Sequence, residues 1–425
     1  MPRPVLVAAL GVLAVALDAA VNIAFPAISA AFDVPATSIQ WVVLTYVVTF
    51  AAALIPAGRL ADRAGHARVF QGGLAITGVA HLLCGLAPAW AWLLGARVAQ
   101  GLGAALVMAS ASALVTLSTS PGRHGQVLGR LGLAASLGAV VGPLGGGVLV
   151  GALGWRVVYL GRLPLVMLTL GLCWGLQGAR GSCGPGRDDV GTPPGAAIRT
   201  DAPPTERVRG GLADPRTFVV ANAAHLLANA ALFAVWLLVP YYLIDRRGFP
   251  AGLGGLLFTT GPLAQACAAP LGGRLADRGF GRWLAPLALA LEGVGLWLTG
   301  RLDDVATPWP IVLALGLGGF GSGLFIIANM HYVMGALPPA RQGVAGSLVA
   351  LMRTAGIVVG ANVTTAVYAA RLSAHGGLGP AGAASSAFAD AFGVAAAIAA
   401  AAALLSLVPP RVRDAARPDA RARTP

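Results

Sequence analysis

Lysine is absent from this chain of 425 residues: each of its 29 basic side chains is an arginine. Charge of either sign is sparse. Only 11% of the residues are charged, against roughly a quarter in an ordinary soluble domain, which excludes a conventional water-soluble core. Cysteine is sparse as well. Cys84, Cys173 and Cys267 fall in apolar runs and Cys183 in a polar loop, with no pair at metal-ligand spacing, so no metal site is expected. The chain also has no His/Glu metal motif and no nucleophile set beside a base, so an enzyme is not expected. The formal charge of +13 does not point to nucleic acid, because the arginines are scattered through short loops and tails.

What the chain has is apolar length: 57% of it is hydrophobic. A bilayer core about 30 Å thick takes about 20 helical residues to cross. Twelve apolar segments of that order recur, at 5–30, 38–58, 69–88, 91–117, 126–151, 155–177, 217–243, 251–272, 284–300, 309–331, 343–370 and 386–408. The first is too long for a signal peptide, contains Asp18 and is followed by further spans, so it is read as span one. Between the sixth and seventh the composition turns to Gly, Pro, Arg and Asp with no apolar period, which reads as a flexible linker. The expected organisation is a six-helix bundle over 1–177, a cytoplasmic linker over 178–216, a second six-helix bundle over 217–410 and a basic cytoplasmic tail over 411–425. With the N-terminus inside, 20 arginines fall in inner segments and five in outer loops. That bias places both termini in the cytoplasm of a multi-pass protein of the cell inner (plasma) membrane.

The hexapeptide Gly58–Arg63, "GRLADR", returns at Gly273–Arg278, after the second span of each half. The two halves therefore read as an internal repeat, a construction common among transporters that bind substrate between halves and rock to expose it alternately. The first copy continues as "GRLADRAGHAR". Its Gly58, Asp62, Arg63, Gly65 and Arg68 resemble the loop signature of the major facilitator superfamily, with His66 where that family usually has a base. The resemblance implies a latch between the two bundles on the cytoplasmic side. Gly273, Asp277 and Arg278 keep part of it in the second half.

Span one, "LDAAVNIAFPAI", resembles the drug:proton antiporter branch of that superfamily and sets Asp18, Asn22 and Phe25 on one helical face. A carboxylate in a membrane is costly and is a functional candidate by default. Asp18 is therefore the first candidate to load and release a proton. Span four, "ARVAQGLGAA", resembles the family motif that places Arg97 and Gln100 on one face, and Arg97 is the fixed charge that could expel that proton. In span five Gly138, Gly142 and Gly146 form a bare stripe interrupted by Pro143, a pattern that in the family marks exporters more than importers.

Spans seven and ten carry polar stripes: Asn222, His225, Asn229 and Trp236, then Ser322, Phe325 and Asn329. With Asn22, Phe25 and Gln100, and with Trp41 and Tyr46 of span two, these are the candidate substrate-cavity residues. Glu292 in span nine and His225 are further candidates for proton coupling. "GLGGFG", Gly316–Gly321, matches a dinucleotide fingerprint but follows no strand, so it reads as helix packing. Arg162, in "GRLPL", stands where relatives commonly have asparagine and has no reading from sequence; Arg353, in "LMRTAG", is read as structural.

The fold expected is all-α: two six-helix bundles related by a pseudo-two-fold axis, with twelve transmembrane helices. The function implied is export of a small amphipathic drug or metabolite by alternating access. It needs no cofactor and is driven by a proton gradient. The expected partners are a small-molecule substrate, protons and the lipid bilayer, without nucleic acid, in a monomeric protein. An importing symporter or facilitator, and a non-transporting receptor or structural protein, are the alternatives.

Overall fold

The structure is a computed structural model that describes residues 3–119, 124–181, 215–305, 307–335, 342–375, 377 and 379–408. Most of the expected linker and all of the expected tail lie outside the described residues.

Helices account for nearly all of the described chain. We number the twelve long ones in order. α1 is broken into Arg3–Ala16, a 3₁₀ turn Leu17–Ala19, Ala20–Ile23 and Phe25–Phe32. α2 is Gln40–Ala64, α3 His66–Gly85, α4 Trp90–Leu117, α5 His124–Leu153 and α6 Leu163–Gly181, the last preceded by a short turn of helix at Val157–Leu160. The second half supplies α7 Pro215–Tyr241, α8 Ala251–Leu275, α9 Gly281–Gly300, α10 Pro308–Gly335, α11 Gln342–Ala374 and α12 Gly379–Ser406. The twelve sit where the apolar segments predict them.

Eleven of these stretches are long and apolar enough to cross a membrane; α8 is not among them. Its 25 residues reach about 37 Å at the usual helical rise, so length is not the reason. Pro262, Pro270 and many glycines dilute its hydropathy. It packs against α10 and, across the molecule, against α5.

Close helix approach here depends on small residues, as expected where lipid gives no hydrophobic drive between helices. Gly101 lies against the α2 backbone near Tyr46 and Thr49, and Gly103 against Thr77 of α3, so α4 is clamped between α2 and α3. In the second half Gly318 meets Gly295, Gly319 meets Gly261 and Gly321 meets the Glu292 backbone. The "GLGGFG" segment is thus packing, as read. At the end of α2, Gly65 adopts φ +92°, a left-handed conformation that a residue with a Cβ takes only with strain.

The bundles meet at the end of the molecule remote from the chain termini. There Tyr241 Oη donates to Phe25 O at 3.5 Å and Thr365 Oγ1 donates to Gln40 Oε1 at 2.9 Å; nearer mid-helix, Thr259 Oγ1 of α8 donates to Val140 O of α5 at 3.4 Å. One apolar cluster runs through both bundles at this level and includes Ile23, Phe25, Leu237, Tyr242 and Leu257. Backbone approaches between Gly147 of α5 and Gly255 of α8 complete the contact.

Candidate functional site

The centre of α1 is not regular helix. The 3₁₀ turn at Leu17–Ala19 puts Asp18 on a tightened segment, and a second break follows at Ala24 before Phe25 and Pro26 open the next piece. A 3₁₀ stretch within a helix often marks a functional hinge. The α5 glycine stripe is built onto this turn. A Cβ at Gly138 would press on Ala16 and Leu17, one at Gly142 would lie 3.1 Å from Ala20 N, and one at Gly146 would lie 3.1 Å from Ala20 O. The bare stripe therefore lets α5 seat the carboxylate-bearing turn.

Asp18 is partly exposed and accepts from three side chains. Arg97 donates through Nη1 to Oδ1 at 2.7 Å and through Nη2 to Oδ2 at 3.0 Å, a bidentate pair. Gln100 Nε2 donates to Oδ1 at 2.8 Å, and Arg162 Nη1 donates to the same oxygen at 2.9 Å. The arginines are fixed from behind. Arg97 is 1% exposed, donates Nε to Val42 O at 2.8 Å, donates Nη1 to Gln100 Oε1 at 2.8 Å and lies 4.5 Å from the Tyr46 ring. Arg162 is 5% exposed and donates Nε to Val158 O at 2.8 Å. His81, fully buried, lies 3.4 Å from Gln100 through its Nε2.

One carboxylate thus faces two guanidiniums, and the group carries a surplus positive charge. Arg162 Nη2, Tyr159 Oη and His81 Nδ1 are buried without a partner among the described residues.

The other candidates are distributed as follows. Asn22 and Phe25 are buried, Phe25 within the apolar cluster that runs through both bundles. Trp41 is exposed and Tyr46 partly so. In α7, Asn222 and His225 are buried, Asn229 and Trp236 partly so. Asn222 Nδ2 and Asn229 Nδ2 each donate to a carbonyl of their own helix, and His225 stacks on Phe325 with centroids 6.0 Å apart. Trp236 borders a small recess inside the second bundle, along with Phe258 and Gln265. Gln265 donates to Ser322 Oγ at 3.2 Å, and Asn329 is buried beside a smaller recess. Glu292 is wholly buried between α9 and α10, with both oxygens lacking a partner among the described residues. In the last turn of α2, Asp62 pairs with His66 at 3.7 Å and is largely exposed. Arg278 is exposed at the matching place, and the Asp277 side chain lies outside those described.

Two arginines differ from their sequence reading. Arg162 has a partner, Asp18. Arg353, read as structural, is exposed. It lies within electrostatic reach of His225 in its own bundle and of Tyr46 in the other.

A sequence profile described as Major Facilitator Superfamily matches residues 7–210 and 221–425. The chain is 31% identical over 424 residues to the puromycin resistance protein pur8 of Streptomyces alboniger, covering 86% of this chain and 82% of that one. It is 23% identical over 398 residues to the riboflavin transporter RibZ of Clostridioides difficile, covering 86% and 87%. Its fold is similar to that of a bacterial homologue of the human lysosomal transporter Spinster in an inward-facing, unoccupied conformation. The TM-score is 0.74 at 17% identity, over 96% of this chain and 97% of that one.

Proposed function

Since this chain belongs to the major facilitator superfamily and is a membrane transporter of small molecules, we propose that it exports an amphipathic drug or metabolite in exchange for protons. The observation that carries the reading is the Asp18–Arg97–Arg162 group: a carboxylate in mid-span, partly open to water, held by two arginines. A proton on Asp18 would cancel the charge that both arginines hold, so protonation and pairing are mutually exclusive states of one site. The 3₁₀ turn and the glycine stripe let that exchange move α1 against α5. The bundles touch at the end remote from the termini, which in this reading is the outer face. The gap between them then opens inward, the termini are cytoplasmic and export proceeds by rocking about the Gly147–Gly255 contact.

Export as the direction is supported by the glycine stripe and by a relative named for puromycin resistance; the riboflavin transporter among the relatives favours a metabolite as cargo. The experiment is efflux from proteoliposomes holding the full chain, loaded with a panel of amphipathic compounds, with and without a pH gradient. Gradient-dependent efflux that disappears in Asp18→Asn supports the reading. Normal efflux in that variant transfers the proton to Glu292 or His225, and uptake in place of efflux reverses the direction.

A further inference from the structure

Arg353 stands within the membrane-spanning stretch of α11, Leu348–Ala374, without an acid. It is exposed, and among the described residues no carboxylate pairs with it. Its position follows from α11. Thr365 fixes that helix to Gln40 of α2 at the closed end. Arg353 is three turns further toward the termini, about 18 Å below that contact at the helical rise. Tyr46 lies on the facing helix about 9 Å below Gln40 by the same measure. An arginine side chain can bridge most of that difference, which agrees with the electrostatic reach between Arg353 and Tyr46. Gly356, one turn above Arg353, lies against Leu226 and Asn229, which turns this face of α11 toward α7. α11 also packs on α2 of the other bundle, so Arg353, exposed and within electrostatic reach of Tyr46, stands beside the gap between the bundles.

Among the described residues, the charges that border this gap do not balance. From the first bundle come Asp18, Arg97 and Arg162, one negative against two positive. Tyr46 stands between them and Arg353, with its ring 4.5 Å from Arg97. From the second bundle come Arg353 and the stack of His225 on Phe325. Glu292 does not reach the gap, being sealed between α9 and α10. Among the described residues, two guanidinium charges of this set are left without a counter-charge. A second observation points the same way: Arg162 Nη2 is buried with no acceptor among the described residues.

We propose that the transported compound carries an oxyanion, a carboxylate or its sulfonate or phosphate equivalent, which Arg353 receives. The surplus charge of the Asp18–Arg97–Arg162 group attracts it from across the gap, and the Tyr46 ring packs its apolar part. This names the substrate class for the transport reading above and rests on it.

The test uses the full chain in proteoliposomes with three matched probes: a fluorescent amphipathic carboxylate, its methyl ester and its quaternary ammonium analogue. Binding is read by fluorescence polarisation and transport by efflux. The carboxylate should bind about tenfold or more tighter than the ester, a difference that Arg353→Gln removes and Arg353→Lys retains. Arg353→Glu should turn the preference toward the ammonium probe. Thermal unfolding of each variant checks folding, and an exposed arginine without a partner should be replaceable at little cost. Equal binding of ester and carboxylate, or a preference untouched by Arg353→Gln, overturns the proposal. Efflux of the ester or ammonium probe but not of the carboxylate also overturns it and leaves transport standing. Selective carboxylate binding without efflux of any probe keeps the anion site and removes the transport reading.

Discussion

Arg162 Nη1 donates to Asp18 Oδ1 at 2.9 Å, on the same oxygen that receives Arg97 at 2.7 Å. Removing the carboxylate leaves two buried guanidiniums facing each other. Breaking a buried pair from one side typically costs about 3–5 kcal/mol. Asp18→Asn should therefore unfold at a clearly lower temperature in detergent as well as losing proton-driven export. Arg162→Asn placed on top of it should recover part of the loss, because it removes the unmatched charge. A double-mutant cycle in which the two changes simply add would show that Arg162 does not act through Asp18.

The sequence shows one half of this group and hides the other. Asp18, Arg97 and Gln100 are legible because each sits in a run where lipid should exclude it and each fits a local spacing. Arg162 joins them from a turn 144 residues away, a relationship that no local period encodes. Periodicity has the opposite weakness in α7. It places Asn222, His225 and Asn229 on one face but does not say whether that face meets water or another helix; the first two are buried. The break in α1 was equally hidden, since "LDAAVNIAF" reads as continuous helix and the close approach of Gly138, Gly142 and Gly146 to it comes from another span.

Neighbouring glycines of α5 have different duties, and this can be separated. Gly142 faces Ala20 within the first bundle, whereas Gly147 faces the Gly255 backbone of the second. Gly142→Val should displace the Asp18 turn and lower both stability and transport. Gly147→Val should leave the first bundle packed but force the bundles apart at their closed end. Thiol labelling of a cysteine placed at Gln40 should then rise in Gly147→Val and stay low in Gly142→Val.

The repeated hexapeptide predicts a rate effect. Asp62 is exposed, and the partner it has among the described residues is His66 of the following helix. Asp62→Asn should slow efflux while leaving ligand affinity within about twofold, since a surface contact of this kind is worth about 1 kcal/mol or less. Asp277→Asn should do less. Severe loss of binding in both would mean that the loops serve the cavity itself.

Glu292 offers a stability test. It is wholly buried, and both oxygens lack partners among the described residues. Removing an unsatisfied buried polar group commonly gains about 1–3 kcal/mol. Glu292→Leu should raise the unfolding temperature and keep ligand binding and gradient-driven efflux. A more stable protein that binds but no longer couples to the pH gradient would assign the proton to Glu292 and take it from Asp18.

The last prediction concerns which faces water reaches. In a background lacking Cys84, Cys173, Cys183 and Cys267, single cysteines are placed at 46, 222, 225, 229 and 353. Arg353 is exposed, Tyr46 and Asn229 are partly so, and Asn222 and His225 are buried. Position 353 should react fastest with a small, water-soluble, cationic thiol reagent, 46 and 229 more slowly, and 222 and 225 least. An anionic reagent should lose ground at 46 relative to the cationic one once Arg353 is replaced, because the charge that concentrates anions in the gap has gone. Substrate should protect 353 and 46 together if one ligand spans from α11 to α2. Fast labelling of 222 and 225 alongside a silent 353 would reverse the assignment: the α7 stripe would line the cavity and Arg353 would face lipid headgroups or packing.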